Sequence, residues 1–213
     1  MTVLTVRAPR RPRASPRRRA AEIIEAAAGV FAERGFHGAT TQDIADVLGI
    51  RQASLYYYFP SKEDALEQVC TRGVEGFFEA AAVIAAGPES ANEKVRKLIE
   101  AHLSPLLDRR DFVRVFQNER QHLPAESRRR IGRWSRAYER VIEEVVKAGI
   151  HNGEFRADLD ARLVTLGILG MGNAVATWYG KEPEASIERI VQEYARLLLE
   201  GLTPRPTGWR PTR

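Results

Sequence analysis

The stretch from Thr40 to Lys62, TTQDIADVLGIRQASLYYYFPSK, limits what the chain can fold into more than any other. Thr40 or Thr41 can cap a helix, because a hydroxyl accepts a bond from an orphan N–H. Ile44, Ala45 and Leu48 then recur at helical spacing and give one apolar face. Gly49 stands where a helix end favours a left-handed residue. Ile50 starts a turn, and a second short helix from Gln52 to Tyr58 carries Leu55 and Phe59 inward until Pro60 stops it. Two short helices joined by a glycine-containing turn make a helix-turn-helix, whose second helix can lie in a DNA major groove. Arg51, Gln52, Ser54, Tyr56, Tyr57 and Tyr58 are left to face outward.

The charge distribution fits a nucleic-acid partner. Residues 1–19 hold seven arginines and no acid; taking those seven from the chain's +5 leaves the other 194 residues at −2. A basic arm over residues 1–15 suits a phosphate backbone, and is equally readable as a solvated leader. The hydrophobic content of 44% opposes disorder of the whole chain. A single cysteine, Cys70, excludes an internal disulfide framework and fits a reducing cytoplasm. No uninterrupted apolar run is long enough to span a bilayer, and the amino end lacks the apolar core of a secretory signal.

Helical periodicity continues through the rest of the chain, so the expected class is all-α with about nine helices. Ser15-Pro16 opens the first helix and Gly35 closes it. After the helix-turn-helix, one long helix is expected from Lys62 to about Ala86, linking head to body, with Phe77 and Phe78 inside. Further helices follow over residues 90–105, 111–123, 125–152, 158–179 and 184–200. The helix to Tyr179 is apolar nearly all round, which places it centrally or at an interface. The expected divisions are a basic arm at 1–15, a helix-turn-helix domain at 16–62, a body at 63–204 and a tail at 205–213.

The chain resembles the tetracycline-repressor (TetR) family of bacterial regulators. Residues 17–66 carry the resemblance: Phe31, Gly35, Thr40-Thr41, Ile44-Ala45, Gly49-Ile50, Leu55-Tyr56, Tyr58-Phe59 and Ser61-Lys62. Two positions depart from the family's habit, Arg51 for a serine or threonine and Tyr58 for a histidine. The resemblance implies a homodimer joined through the last two helices, and a body pocket whose ligand releases double-stranded operator DNA. Residues 112–202 more weakly resemble a branch that answers to acyl-CoA and controls fatty-acid or sterol breakdown. The features are Asn118-Glu119, His122-Leu123-Pro124, Trp134 to Tyr138, Gly149 to Phe155 and Trp178-Tyr179.

Gln42, Arg51, Gln52 and Ser54 are the base-reading candidates. Thr40, Thr41, Tyr56, Tyr58 and Lys62 are the phosphate candidates, and Tyr57 suits either role. The plain alternative is that these are solvated helix residues. In the body, Phe116, Trp134, Tyr138, Met171 and Trp178 are candidate pocket walls or simply core. Glu119 falls on the stripe of Phe112, Val115, Phe116 and Leu123. A lone buried carboxylate is costly, so it should be paired, protonated or ligand-facing, with His102, Arg120 or Arg136 as partners. Asn173 and Thr177 share a stripe that lines a pocket or a dimer seam. Ile190 and Leu197 are expected on that seam.

Nothing in the sequence calls for a cofactor, a metal or catalysis. The four histidines lack ligand spacing, the glycines at 167, 170 and 172 follow no strand, and no nucleophile elbow occurs. The expected protein is a cytoplasmic, ligand-responsive DNA-binding repressor. The rivals are a drug-efflux regulator sensing a hydrophobic or aromatic compound, a structural DNA protein, and an all-α enzyme.

Overall fold

The computed structural model describes residues 16–182 and 184–204. The basic arm, Ser15 as a cap, and the tail lie outside the described residues. Within them there are helices and no strand: α1 Pro16–Gly38, α2 Thr41–Leu48, α3 Gln52–Leu55, α4 Lys62–Val74, α5 Phe77–Ala86, α6 Ala91–Leu103, α7 Pro105–Asp108, α8 Arg110–Glu119, α9 Ala125–His151, α10 Ala161–Trp178 and α11 Ile187–Leu202. Among the described residues nine of these have eight residues or more, and α3 and α7 have four each. No described helix is long and apolar enough to cross a membrane.

Local chemistry sets most of the boundaries. Thr40 caps α2 in a reciprocal box: its hydroxyl accepts from the Asp43 N–H at 3.1 Å, and the Asp43 carboxylate accepts from the Thr40 N–H at 2.8 Å. Gly49 closes α2 in the left-handed conformation, φ 62°. Ser61, Ser90, Asp160 and Ser186 cap α4, α6, α10 and α11 one-sidedly, each side chain accepting from the backbone N–H three residues on. A 3-10 turn, Arg120–His122, ends the run that begins with α8, short of the continuous helix to Leu123 that periodicity suggested.

The expected long helix from Lys62 to Ala86 is two helices. It breaks between Val74 and Phe77, where Glu75 is extended and Gly76 adopts φ 86°. The bend swings α5 away from the line of α4, so Phe77 is half-buried and Phe78 is exposed rather than both being core.

Two apolar cores result. The head core joins Ile23, Phe31, Ile44, Leu55, Phe59 and Leu66 to Phe112, Val115 and Phe116 of α8. The body core joins Val95, Leu98, Leu103, Ile142, Phe155, Val175 and Ile190. Helix α8 is therefore packed into the head although it lies near the middle of the chain, well beyond the helix-turn-helix. At Gly73 a Cβ would sit 2.8 Å from the Phe112 carbonyl oxygen, so only glycine lets α4 approach α8 this closely.

Candidate DNA-reading face and ligand cavity

Helices α2 and α3 bring most of the predicted DNA residues to one exposed face. Arg51 begins α3 with no side-chain cap bond, and Ser54 is exposed. Tyr57 is 86% exposed, and Tyr58 is half-buried with its ring edge-on to Tyr57. Others are already engaged. Gln52 Nε2 donates to Thr41 Oγ1 at 2.7 Å, and the Tyr56 hydroxyl lies 3.5 Å from the same oxygen. Gln42 Nε2 donates to Asp46 Oδ1 at 2.6 Å. The Thr40 hydroxyl serves Asp43, whose carboxyl is held below its usual range chiefly by those Thr40 bonds.

Lys62, expected among the phosphate contacts, points the other way. Its Nζ donates to the Phe36 carbonyl at 2.8 Å and to the Ala39 carbonyl at 2.9 Å, with the ammonium 4.4 Å from the centre of the Phe36 ring. The first turn of α4 thus caps the carbonyl end of α1.

The body holds a cavity of ≈ 330 Å³ bordered by α4 to α10. Phe77, Leu106, Val113, Phe116, Trp134 and Leu169 give it apolar walls. Four polar side chains from four helices meet on another wall. Tyr138 O–H and His102 Nδ1 are 3.1 Å apart; His102 Nε2 is 3.1 Å from Asn173 Oδ1, which also accepts from Gln117 Nε2 at 2.6 Å. With Asn173 Oδ1 as the acceptor at Nε2, a neutral ring carries its proton there and Nδ1 accepts from Tyr138. Burial pulls the His102 imidazole down to about 4 and pushes the Tyr138 phenol up. Burial therefore keeps the imidazole neutral at pH 7, a state the bond pattern accommodates. Gly172 makes room for it: a Cβ there would lie 2.5 Å from His102 Cδ2.

Of the predicted ligand residues, Phe116, Trp134, Tyr138 and Asn173 border this cavity. Glu119 is elsewhere. Its carboxylate accepts from the Phe36 N–H at 2.9 Å and lies 3.7 Å from His122 Nε2, so its partners are a backbone amide of α1 and His122, not His102, Arg120 or Arg136. Thr177 is exposed and donates to the Ala174 carbonyl, while Trp178 packs on the body core. Met171 is half-buried and also lies off the cavity wall. Sequence reasoning missed His102 and Gln117 as cavity residues. A signal existed: both interrupt an apolar stripe, His102 after Val95 and Leu98, Gln117 after Val113.

A helix-turn-helix head on a helical body with an internal, mostly apolar cavity defines a DNA-binding regulator with a small-molecule site. Residues 23–69 match the family described as bacterial regulatory proteins, tetR family, and residues 88–202 match the tetracyclin repressor-like C-terminal domain. The chain belongs to the TetR family. It is similar to the HTH-type transcriptional repressor KstR2 of Mycolicibacterium smegmatis, 30% identical over 88% of this chain and 92% of that one. The solved structure of the ketosteroid transcriptional regulator KstR2 of Mycobacterium tuberculosis superposes with a TM-score of 0.82 at 29% identity, covering 88% of this chain and 96% of that one. The fatty-acid regulator FadR from Bacillus subtilis, solved in complex with stearoyl-CoA, gives 0.69 at 27% identity, covering 85% and 98%.

Proposed function

We propose that this protein represses transcription by gripping a palindromic operator as a homodimer, and lets go when an acyl-CoA thioester enters the cavity. The observation that carries this is the position of α8: Phe116 belongs both to the cavity wall and to the head core. Whatever fills the cavity touches a helix that the DNA-binding head is packed on. The relatives point the same way: KstR2 is named a repressor, and the regulator FadR was solved with stearoyl-CoA. Arg120 is exposed beside the cavity, its guanidinium 5.0 Å from the Phe116 ring centre, and offers a cation to the phosphates of a thioester.

On DNA, Arg51, Ser54 and Tyr57 read bases, while Thr41, Gln52 and Tyr56 form a bonded group that meets the backbone. Lys62 and Thr40 serve by holding the head's shape. Residues 16–62 act as the DNA-binding unit and 63–204 as the ligand and dimer unit, with α4 joining them. The dimer forms through α10 and α11, which expose Leu163 and Leu197 at 66% and 63%. It sets the two α3 helices one DNA turn apart, ~34 Å. The protein acts in the cytoplasm, on the nucleoid.

The test is operator release. Long-chain or ring-bearing CoA thioesters should free labelled operator at micromolar levels, on the order of −8 kcal/mol of binding, and free CoA should do less. If no thioester releases DNA and an aromatic cation does, the protein is a drug-efflux regulator instead.

A further inference from the structure

The cavity's polar wall has a hydrogen-bond balance that does not close. Four side chains, His102, Gln117, Tyr138 and Asn173, make three bonds among themselves. Each imidazole nitrogen is spent, one as donor and one as acceptor. Asn173 spends its oxygen twice and its NH2 not at all. Gln117 spends one N–H, and its Oε1 meets no described residue. Flipping both amides exchanges these roles and leaves the same remainder, an amide donor on one residue and an amide acceptor on the other. Both residues border the cavity, and the buried atoms left without a partner among the described residues do not include these amides. The unspent groups are therefore open to solvent, on two residues that border the cavity.

This wall carries no net charge. The cavity's two ionised neighbours are accounted for outside it: Arg120 is exposed, and Glu139 is paired with Arg162 at 2.6 Å. A carboxylate or ammonium brought to the wall would find no counter-charge there. A saturated chain would leave the amide donor and acceptor unpaired once it displaced water, which is the costly outcome.

We propose that this wall reads an uncharged oxygen function, a ketone or hydroxyl, on the hydrocarbon part of the effector. The idea rests on the effector reading above and narrows it: the natural ligand is an oxygenated acyl group rather than a plain saturated fatty acyl chain. A ketone oxygen accepts from the Asn173 amide, and a hydroxyl uses both that donor and the Gln117 acceptor. Gly172 and the neutral His102 act as positioning residues, since they hold the Asn173 oxygen and so aim its NH2.

The experiment is titration calorimetry on the full-length protein with decanoyl-CoA and its oxo-decanoyl isomers, the ketone stepped along the chain. A second arm compares thermal shifts from 2-tetralone and from tetralin, which need no CoA. The expected result is about tenfold or more tighter binding for at least one oxo isomer, and a larger shift for the ketone than for the hydrocarbon. In Asn173→Leu and in Gln117→Met that preference should shrink while the saturated chain binds as well or better. If decanoyl-CoA binds as tightly as every oxo isomer, this inference is overturned and the thioester reading survives. If no thioester binds, the thioester reading falls. The tetralone pair then decides this inference alone, equal shifts overturning it and a larger ketone shift upholding it.

Discussion

His102 makes the body acid-sensitive, and the size of the effect follows from its surroundings. Burial disfavours the charged ring and pulls its pKa in the folded protein down to about 4, from 6.5 for an unburied imidazole. Protonation at Nδ1 would also set an N–H against the Tyr138 hydroxyl hydrogen that now donates to it. Between these two values the unfolded chain binds more protons than the folded one, so stability rises with pH across that window and falls on acidification. Linkage gives a loss of ~1.4 kcal/mol between pH 7.5 and pH 5.5, as an upper figure, since water in the adjoining cavity eases the desolvation. For a chain of this size that corresponds to a drop of roughly 3–5 °C in melting temperature. The assay is thermal unfolding at both pH values for the wild type and for His102→Gln, which keeps a donor but cannot titrate. The difference between the two slopes isolates His102 from the other histidines. A His102 ring proton resonance that titrates near 6.5, or a His102→Gln variant with the full wild-type slope, would refute the reasoning.

Other substitutions separate the roles of the head residues and the dimer seam. Lys62→Met should cost ~1–3 kcal/mol of head stability by orphaning the Phe36 and Ala39 carbonyls, while the salt dependence of operator binding keeps its slope; a slope shallower by ~0.9 would make Lys62 a phosphate contact after all. Arg51→Ala should cost ~1–3 kcal/mol at one operator base and little elsewhere, whereas Gln52→Ala should weaken all sequences alike by freeing Thr41 and Tyr56; scanning base substitutions through the operator shows which holds. Leu197→Asp should give folded monomers by light scattering and no operator binding. Ile190→Asp should instead unfold the subunit, because Ile190 is only 5% exposed and lies in its own body core rather than on the seam.

The head was legible because its determinants are local. Thr40 to Asp43 spans one helical turn, Gly49 closes that helix by its own φ, and Leu55 and Phe59 share a face at the expected spacing. The body was legible as helices but much less so as a site. Gly76 sits within a continuous helical pattern, and periodicity does not show whether such a glycine stays helical or turns left-handed. Glu119 reads from the sequence as a carboxylate needing a partner; His122 lies one turn on, but the hydrogen-bond donor, the Phe36 amide, is 83 positions away. The bonds of Lys62 were hidden for the same reason: nothing in its own helix reveals the Phe36 and Ala39 carbonyls it reaches. The cavity draws His102, Gln117, Tyr138 and Asn173 from four helices, and each taken alone is only a polar residue near an apolar stripe.

These long-range contacts converge on one short segment. Residues 36–39 follow the kink in α1 at Gly35 (φ 68°) and lead directly into the Thr40 cap of α2. The segment is held from two sides: Glu119, at the end of α8, takes the Phe36 N–H, and Lys62, at the start of α4, takes the Phe36 and Ala39 carbonyls. Helix α8 is in turn fixed at the cavity by Gln117 and against α4 by the close contact over Gly73. A ligand that recruits Gln117 therefore acts less than one helical turn from the carboxylate that anchors the DNA-reading helices. Tight binding alone does not release DNA; the ligand must favour the arrangement of α8 that suits the free head, and by no more than its differential affinity. The coupling is reciprocal, so operator DNA must weaken effector binding by the same factor by which the effector weakens DNA binding. A network of neutral groups with an amide donor and an amide acceptor still unspent suits that role, because spending one Gln117 hydrogen bond differently changes the balance without leaving a charge stranded in the body.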